Sequence, residues 1–354
     1  MREALERWRP VIDDTIEELL PRTVDETYLT EFYGPATYRY DPVGIQRALA
    51  DPIWDLLDRG GKRWRAVLFL VFVEAFGEDP EPYLQYACIP EILHNGTIIV
   101  DDVEDEAEMR RGEPALHHRF GQDIALNAGN AMYFLPLKVL THNPADLAPE
   151  TRLRAYEMLM DELNRTHLGQ GMDICWHNEP AVRVEEDQYL EMCACKTGCL
   201  GRIVARLAAI VTEQPPEVER HAADYAEAVS VAFQIGDDIL DVEHSLGRAG
   251  DFGKAFGNDI REGKQTLLVL HAIEHSDDVD ADRLQEILRS DENTDAEILD
   301  ALRIIEDSGA IAHARERAEN LAAGARAHLE ELDLEPEAAR QLAEFTAFVV
   351  DRDE

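Results

Sequence analysis

The stretch 91–112, EILHNGTIIVDDVEDEAEMRRG, restricts the fold of this chain more than any other part of it. It is apolar up to Val100 and then presents Asp101, Asp102 and Asp105 together. An apolar run that ends in carboxylates has to face an interior or a cleft. Read as one helix, it puts residues four apart on one face, so Asp101 and Asp105 point the same way. Two carboxylates at that spacing suit Mg²⁺, a hard ion that keeps some waters and leaves positions for phosphate oxygens. Arg110 and Arg111, a turn further along that helix, are permanently charged donors suited to the same phosphates. Other acid clusters, Asp13-Asp14 with Glu17 and the run Asp277, Asp278, Asp280 and Asp282, sit among polar neighbours and read as solvated faces.

A second such setting occurs at 233–241, FQIGDDILD. Gln234, Asp237 and Asp241 share a helical face there, with apolar residues before and within the cluster. Two acid clusters on two helices, followed by GKAFGNDIREGK with Lys254 and Lys264, suggest a cavity whose opposite walls are bridged by metal ions through a diphosphate. At 60–63 the glycines of GGKR end one helix, and Lys62, Arg63 and Arg65 open the next. Cations are poorly placed for the dipole at a helix start, and a bound anion would account for them.

The remainder predicts helix after helix: 2–20 (bent at Pro10), 43–58, 63–76, 122–141, 150–172, 185–212, 217–245, 264–275, 294–307, 310–332 and 335–350. Prolines 144, 149, 180, 215 and 216 punctuate them. No alternating strand pattern, tandem repeat or low-complexity linker interrupts the series. The expected fold class is all-α, a single domain of long, mostly antiparallel helices around a deep central cavity.

Charge narrows the function. With 73 acidic against 34 basic residues the net charge is −39, which argues against nucleic acid and anionic membrane surfaces as partners. The lysines number five, Lys62, Lys138, Lys196, Lys254 and Lys264, and four of them fall inside the segments singled out here. Scarce lysine under a coat of carboxylate reads as adaptation to high salt, where screening relaxes self-repulsion. Cys193, Cys195 and Cys199 do not share one helical face and read as buried small residues, not as metal ligands. No apolar run reaches the ~18 residues of a membrane span, and Met1 opens straight into a charged helix, so a cytoplasmic location is expected.

Taken in order, GGKR, the first aspartate-rich stretch with RRG, GQGMD at 169–173, KTG at 196–198, the second aspartate-rich stretch and GK…GND…GK resemble the trans-polyprenyl diphosphate synthases of the isoprenoid synthase superfamily. The LHN, DDVED and GQGMDICW segments are similar in particular to those of eukaryotic-like geranylgeranyl diphosphate synthases. The likeness runs from about residue 45 to about residue 275. Ala66 departs from it, standing where the family usually has proline.

The resemblance implies head-to-tail condensation of isopentenyl diphosphate with an allylic diphosphate, in a homodimer, with Mg²⁺ (Mn²⁺ being possible) at about three ions per site. It implies metal ligation by Asp101, Asp105 and Asp237 with help from Asp102 and Asp241. It assigns the isopentenyl diphosphate to Gly61, Lys62, Arg63, His94 and Arg111. The allylic diphosphate falls to Arg110, Gln170, Asp173, Lys196, Thr197, Gln234, Lys254 and Lys264. Product length would be governed by Gly96 and Thr97, small residues one turn before Asp101, and by Tyr133, Phe134 and His167 as a floor, which implies mainly a C20 product, with C25 or longer, or C15, as the alternatives. A terpene cyclase would normally lack the second aspartate cluster and the GGKR segment. A regulatory family member tends to lose an aspartate motif, and a helical cation-binding protein leaves the basic motifs unexplained.

Overall fold

The computed structural model describes residues 1–178, 183–247, 256–290 and 292–350. It divides into two compact units, Met1–Tyr156 and Glu157–Glu354. Both are helical, as expected. In the first unit stand α1 (Arg2–Leu19), α2 (Glu26–Tyr33), α3 (Pro42–Ile45), α4 (Asp51–Asp58), α5 (Trp64–Ala75), α6 (Leu84–Glu104), the strands β1 (Met109–Arg110) and β2 (Glu113–Pro114), α7 (Leu116–Phe120), α8 (Gln122–Phe134) and α9 (Lys138–His142). Next comes α10 (Pro149–Asn178), through which the division runs. The second unit continues with α11 (Glu186–Cys193), a π-helical turn at Ala194–Gly198, α12 (Cys199–Val211), α13 (Pro216–Ser245), α14 (Asn258–Arg261), α15 (Leu267–His275), α16 (Asp278–Leu288), α17 (Asp295–Asp307), α18 (Ala310–Glu330) and α19 (Pro336–Val350).

The first unit is built around α5. Its residues from Arg65 to Val73 are all buried, and a helix apolar on every face belongs in the middle of a core. α1 and α6 pack against it, and α6 packs in turn on α8. That last contact is close because glycines face each other: a Cβ on Gly96 would lie 2.8 Å from Met132 Cβ and 2.9 Å from the Gly129 carbonyl. The one lysine outside the motifs, Lys138, places its ammonium 5.2 Å from the ring of Phe32, a cation–π contact.

In the second unit the long helix is α13, and α12 and α18 flank it. Small residues set both crossings. The α18 stripe Ala310, Ala314, Ala318, Ala322 and Ala325 is fully buried, and a Cβ on Gly201 would meet Ser230 Oγ at 2.3 Å.

Several boundaries differ from those expected. The acidic run from Asp277 is exposed, as expected, and also starts α16: the Asp277 carboxylate accepts the Val279 and Asp280 N–H groups. Carboxylates at a helix start are favoured by the free N–H groups and the dipole. The stretch 122–141 breaks at Leu135–Leu137 into a 3₁₀ turn around Pro136, which has no N–H to continue the ladder. The stretch 185–212 is interrupted by the π-turn. α2 had no counterpart among the expected helices; it is capped by Asp25, whose side chain accepts from Tyr28 N–H.

Candidate active site

The helix expected over 91–112 ends eight residues early. α6 closes at Glu104 in a Schellman arrangement: Ala107 N–H reaches the Asp102 carbonyl at 2.9 Å and Glu106 N–H the Val103 carbonyl at 3.4 Å. Glu106 takes the left-handed conformation (φ 50°) that this cap requires. The two arginines therefore lie on a two-residue hairpin, with Arg111 (φ 53°) and Gly112 (φ 78°) forming its tight turn. Asp101 and Asp105 keep the i, i+4 relation at the last turn of α6, and both are half-buried. Asp102 does not join them. It is 3 % exposed, and its carboxylate receives the Nε and Nη2 of Arg110, the Nε–Oδ1 bond being 2.8 Å. Burial raises the Asp102 pKa, and Arg110 pulls it back. In this arrangement Asp102 fastens the hairpin to the helix end.

The GGKR loop and the hairpin meet in one cluster of cations. Arg111 donates to the Gly60 carbonyl (2.5 Å), the Leu56 carbonyl (3.2 Å) and Asn95 Oδ1 (3.0 Å). Arg63, the N-cap of α5 at φ 54°, is buried; its Nε meets Asp13 Oδ1 at 2.8 Å and its Nη2 the Leu57 carbonyl at 3.0 Å. Arg63 Nη1 is buried 3.6 Å from Glu91 Oε1, without a hydrogen-bond acceptor. A Cβ on Gly61 would lie 3.1 Å from that Nη1 and 3.6 Å from Arg111 Nη2, so the glycine (φ 146°) keeps the space before both guanidinium groups clear.

Lys62 is exposed beside them. Burial, and next the Arg63 charge, bring Arg111 down to about 10. Burial, followed by the charges of Arg65, Arg111, Arg110 and Arg63, holds His94 well below its ordinary range. So much positive charge gathered around an orphaned donor suits an anion of high charge, such as a diphosphate. Glu91 and Asn95, which orient this cluster from α6, were missed in the sequence. Asn95 stood inside the LHN segment, but a buried asparagine carries no signal of what it will hold.

In the second unit the π-turn carries Lys196 and Thr197. Lys196 Nζ lies 2.5 Å from Asp173 Oδ2. A Cβ on Gly169 would lie 2.4 Å from the Lys196 backbone nitrogen, which explains the first glycine of GQGMD as a close approach of α10 to the π-turn. Arg202 Nη1 donates to the Ala194 carbonyl at 3.2 Å and pairs with Glu227. Thr197 Oγ1 donates to Gln234 Oε1 at 3.3 Å. Gln170 and Asp237 are half-buried on α10 and α13. Asp241 is 1 % exposed, and its Oδ2 accepts Asp259 N–H at 3.3 Å, holding the start of α14. Lys264 Nζ lies 2.5 Å from Glu262 Oε2. Lys254 lies outside the described residues. Cys193, Cys195 and Cys199 are buried free thiols, raised by burial.

The chain-length candidates change character. Gly96 is small because α8 crosses there, not because it opens a cavity. Thr97 turns its hydroxyl back to the His94 carbonyl at 2.8 Å. Tyr133 is 8 % exposed, but Phe134 is 65 % exposed and so plugs no interior of its own unit. His167 is exposed as well.

As donors for a metal, Asp101 and Asp105 in the first unit, and separately Asp237 in the second, offer hard oxygens only. Among the described residues no three His, Cys, Asp or Glu side chains form a ready cage. Hard oxygens in small number fit Mg²⁺, which shares its shell with water and substrate phosphates.

Comparison with known proteins agrees with this chemistry. The polyprenyl synthetase family model matches residues 46–305. The geranylgeranyl pyrophosphate synthase of Geoglobus acetivorans is 34% identical over 88% of this chain and 92% of its own length. The geranylfarnesyl diphosphate synthase of Natronomonas pharaonis is 31% identical over 99% of this chain and 98% of its own. Among solved structures, the geranylgeranyl pyrophosphate synthetase of Pyrococcus horikoshii Ot3 superposes with a TM-score of 0.84 at 27% identity, covering 99% of each chain. The chain has the isoprenoid synthase fold and belongs to the polyprenyl synthetase family of prenyltransferases.

Proposed function

We propose that this enzyme condenses isopentenyl diphosphate with an allylic diphosphate and releases mainly geranylgeranyl diphosphate. The observation that carries the reading is the cation cluster at Gly61, where the buried Arg63 Nη1 and the depressed Arg111 call for a multiply charged anion. With Lys62 and His94 it forms the isopentenyl diphosphate site. His94, held neutral by burial and its arginine neighbours, takes part as a hydrogen-bonding group and not as a cation.

Lys196, Thr197, Gln170 and Gln234 form the allylic site, with Asp173 orienting the lysine. Arg110 and Lys264 are assigned to it as well. Asp101, Asp105 and Asp237, with Asp241, hold Mg²⁺, which supplies charge neutralisation for the departing diphosphate. The positive side chains keep that leaving group in place while the carbon–oxygen bond ionises. The apolar flanks of both acid clusters exclude water, which would otherwise capture the allylic cation as an alcohol. The isopentenyl double bond then attacks the cation. The proton lost afterwards leaves to the released diphosphate, so no side-chain base is required.

A C25 product is the second reading, favoured by the geranylfarnesyl-named relative that spans nearly the whole chain. The acidic composition supports a halophilic enzyme. No helix among the described residues is long and apolar enough to cross a membrane. On α10, Leu153, Tyr156 and Leu168 are exposed, which suits a homodimer contact. The test is product analysis with isopentenyl diphosphate and each of the C5, C10 and C15 allylic primers. A C20 product that vanishes on chelation of Mg²⁺ is expected; release of mainly C15 or C30 would reject the assignment.

A further inference from the structure

Tyr189 lies outside every motif singled out above, yet it sits beneath the allylic site. It stands on α11, one turn before the π-turn, and is 2 % exposed. Its hydroxyl donates to Asp238 Oδ2 at 2.6 Å. The other oxygen of that carboxylate, Oδ1, accepts from Gln234 Nε2 at 3.0 Å. The carbonyl end of the same amide accepts from Thr197 Oγ1 at 3.3 Å. A continuous chain of hydrogen bonds thus links α11 to α13 and returns to the π-turn carrying Lys196.

The orientation of each link is forced. The phenol keeps its proton, because burial and then the Asp238 charge push it well above its ordinary range, so it acts as donor. Asp238 accepts at both oxygens, which obliges Gln234 to present its NH₂ to Asp238 and its carbonyl to Thr197. Asp238 has the same chemistry as its neighbours Asp237 and Asp241, and it is 4 % exposed. It accepts from both Tyr189 and Gln234. A short bond to a charged acceptor in a buried setting is among the stronger neutral-donor hydrogen bonds.

We propose that Tyr189 is a positioning residue for the allylic half of the reaction. It holds Asp238 inward and through it sets the Gln234 amide and the Thr197 hydroxyl beside Lys196. The inference rests on the function proposed above, because it concerns the substrate that Lys196, Thr197 and Gln234 bind. Removing the phenol oxygen leaves Asp238 with one donor fewer. Its carboxylate is then held less firmly, and with it the Gln234 amide whose other end faces Thr197.

The test is Tyr189→Phe in the full chain, with kcat and both KM values measured beside the melting temperature. The loss of one hydrogen bond to a buried charge predicts a fall of about ten- to hundredfold in kcat/KM for the allylic diphosphate. The KM for isopentenyl diphosphate should stay within about twofold, because its site is built from other residues. Unchanged allylic constants would overturn the proposal. So would equal losses for both substrates accompanied by a large drop in melting temperature, which would mark Tyr189 as purely structural. Should Tyr189→Phe fail to fold, Asp238→Asn cuts the same chain at a residue outside the substrate contacts and must show the same split between substrates; an even loss, or none, refutes the relay. A parent enzyme inactive with every allylic primer would remove the proposed function itself, a result visible before any variant is made.

Discussion

Arg111→Gln separates the work this arginine does for binding from the work it does for folding. Its pKa is brought down to about 10, first by burial and then by the charge of Arg63. A drop of that size means that holding the charge in the folded protein costs about 3 kcal/mol. The sign follows from the folded-state value lying below the unfolded one. The cost is present at every pH below about 10, and it is shed as pH rises from there towards the unfolded value. Against it stand the bonds to the Gly60 and Leu56 carbonyls and to Asn95, worth about 0.5–1.5 kcal/mol net each. The two contributions nearly cancel, so the variant should melt within about 5 °C of the parent. Ligand response is where they part. Isopentenyl diphosphate at ~100 times its Kd should stabilise the parent by about 2.7 kcal/mol, and the shift should disappear in the variant. Thermal melts with and without the ligand, in the absence of allylic substrate, provide the assay. A variant that keeps the ligand-induced shift would show that Arg111 is not in the anion site. One that loses more than about 10 °C unliganded would show that it is chiefly a fold-stabilising residue.

The remaining predictions concern other links. Gly169→Ala places a Cβ 2.4 Å from the Lys196 backbone nitrogen; it should displace the π-turn and lower turnover by at least about tenfold with little effect on isopentenyl diphosphate binding, and unchanged kinetics would refute the close-approach argument. Desalting to about 0.1 M, where the Debye length is ~10 Å, should reduce helicity and activity in a protein of net charge −39, and an unchanged circular dichroism melt would remove the halophilic reading. With Gly96 engaged by α8 and Phe134 exposed, Tyr133→Ala is the substitution expected to lengthen the product beyond C20, read by product chromatography; an unchanged length would place the floor elsewhere.

Much of the site was legible from residue types and spacing. Aspartates four apart after an apolar run marked Asp101 and Asp105 as sharing one helical face, because helical periodicity is local and survives in the sequence. The GGKR and KTG segments stood out since lysine is so scarce here that each one draws notice. What the sequence could not show was direction. Asp101, Asp102 and Asp105 look alike in the chain, yet a 100° turn per residue sends Asp102 into the protein, where Arg110 meets it. The arginines were read as helical because nothing short of the cap geometry at Glu106 reveals that the helix has stopped.

Likewise Gly96 and Gly169 were read, respectively, as cavity space and as part of a motif, when each is small because another backbone passes within contact distance. Tyr189 carried no signal at all, since its partner Asp238 is 49 residues away. By itself the sequence determined where helices form and which charges gather, for those follow from neighbours within a few residues. Only the tertiary structure decided which carboxylates turn inward and which amides are oriented, because those choices belong to contacts between segments distant in the chain.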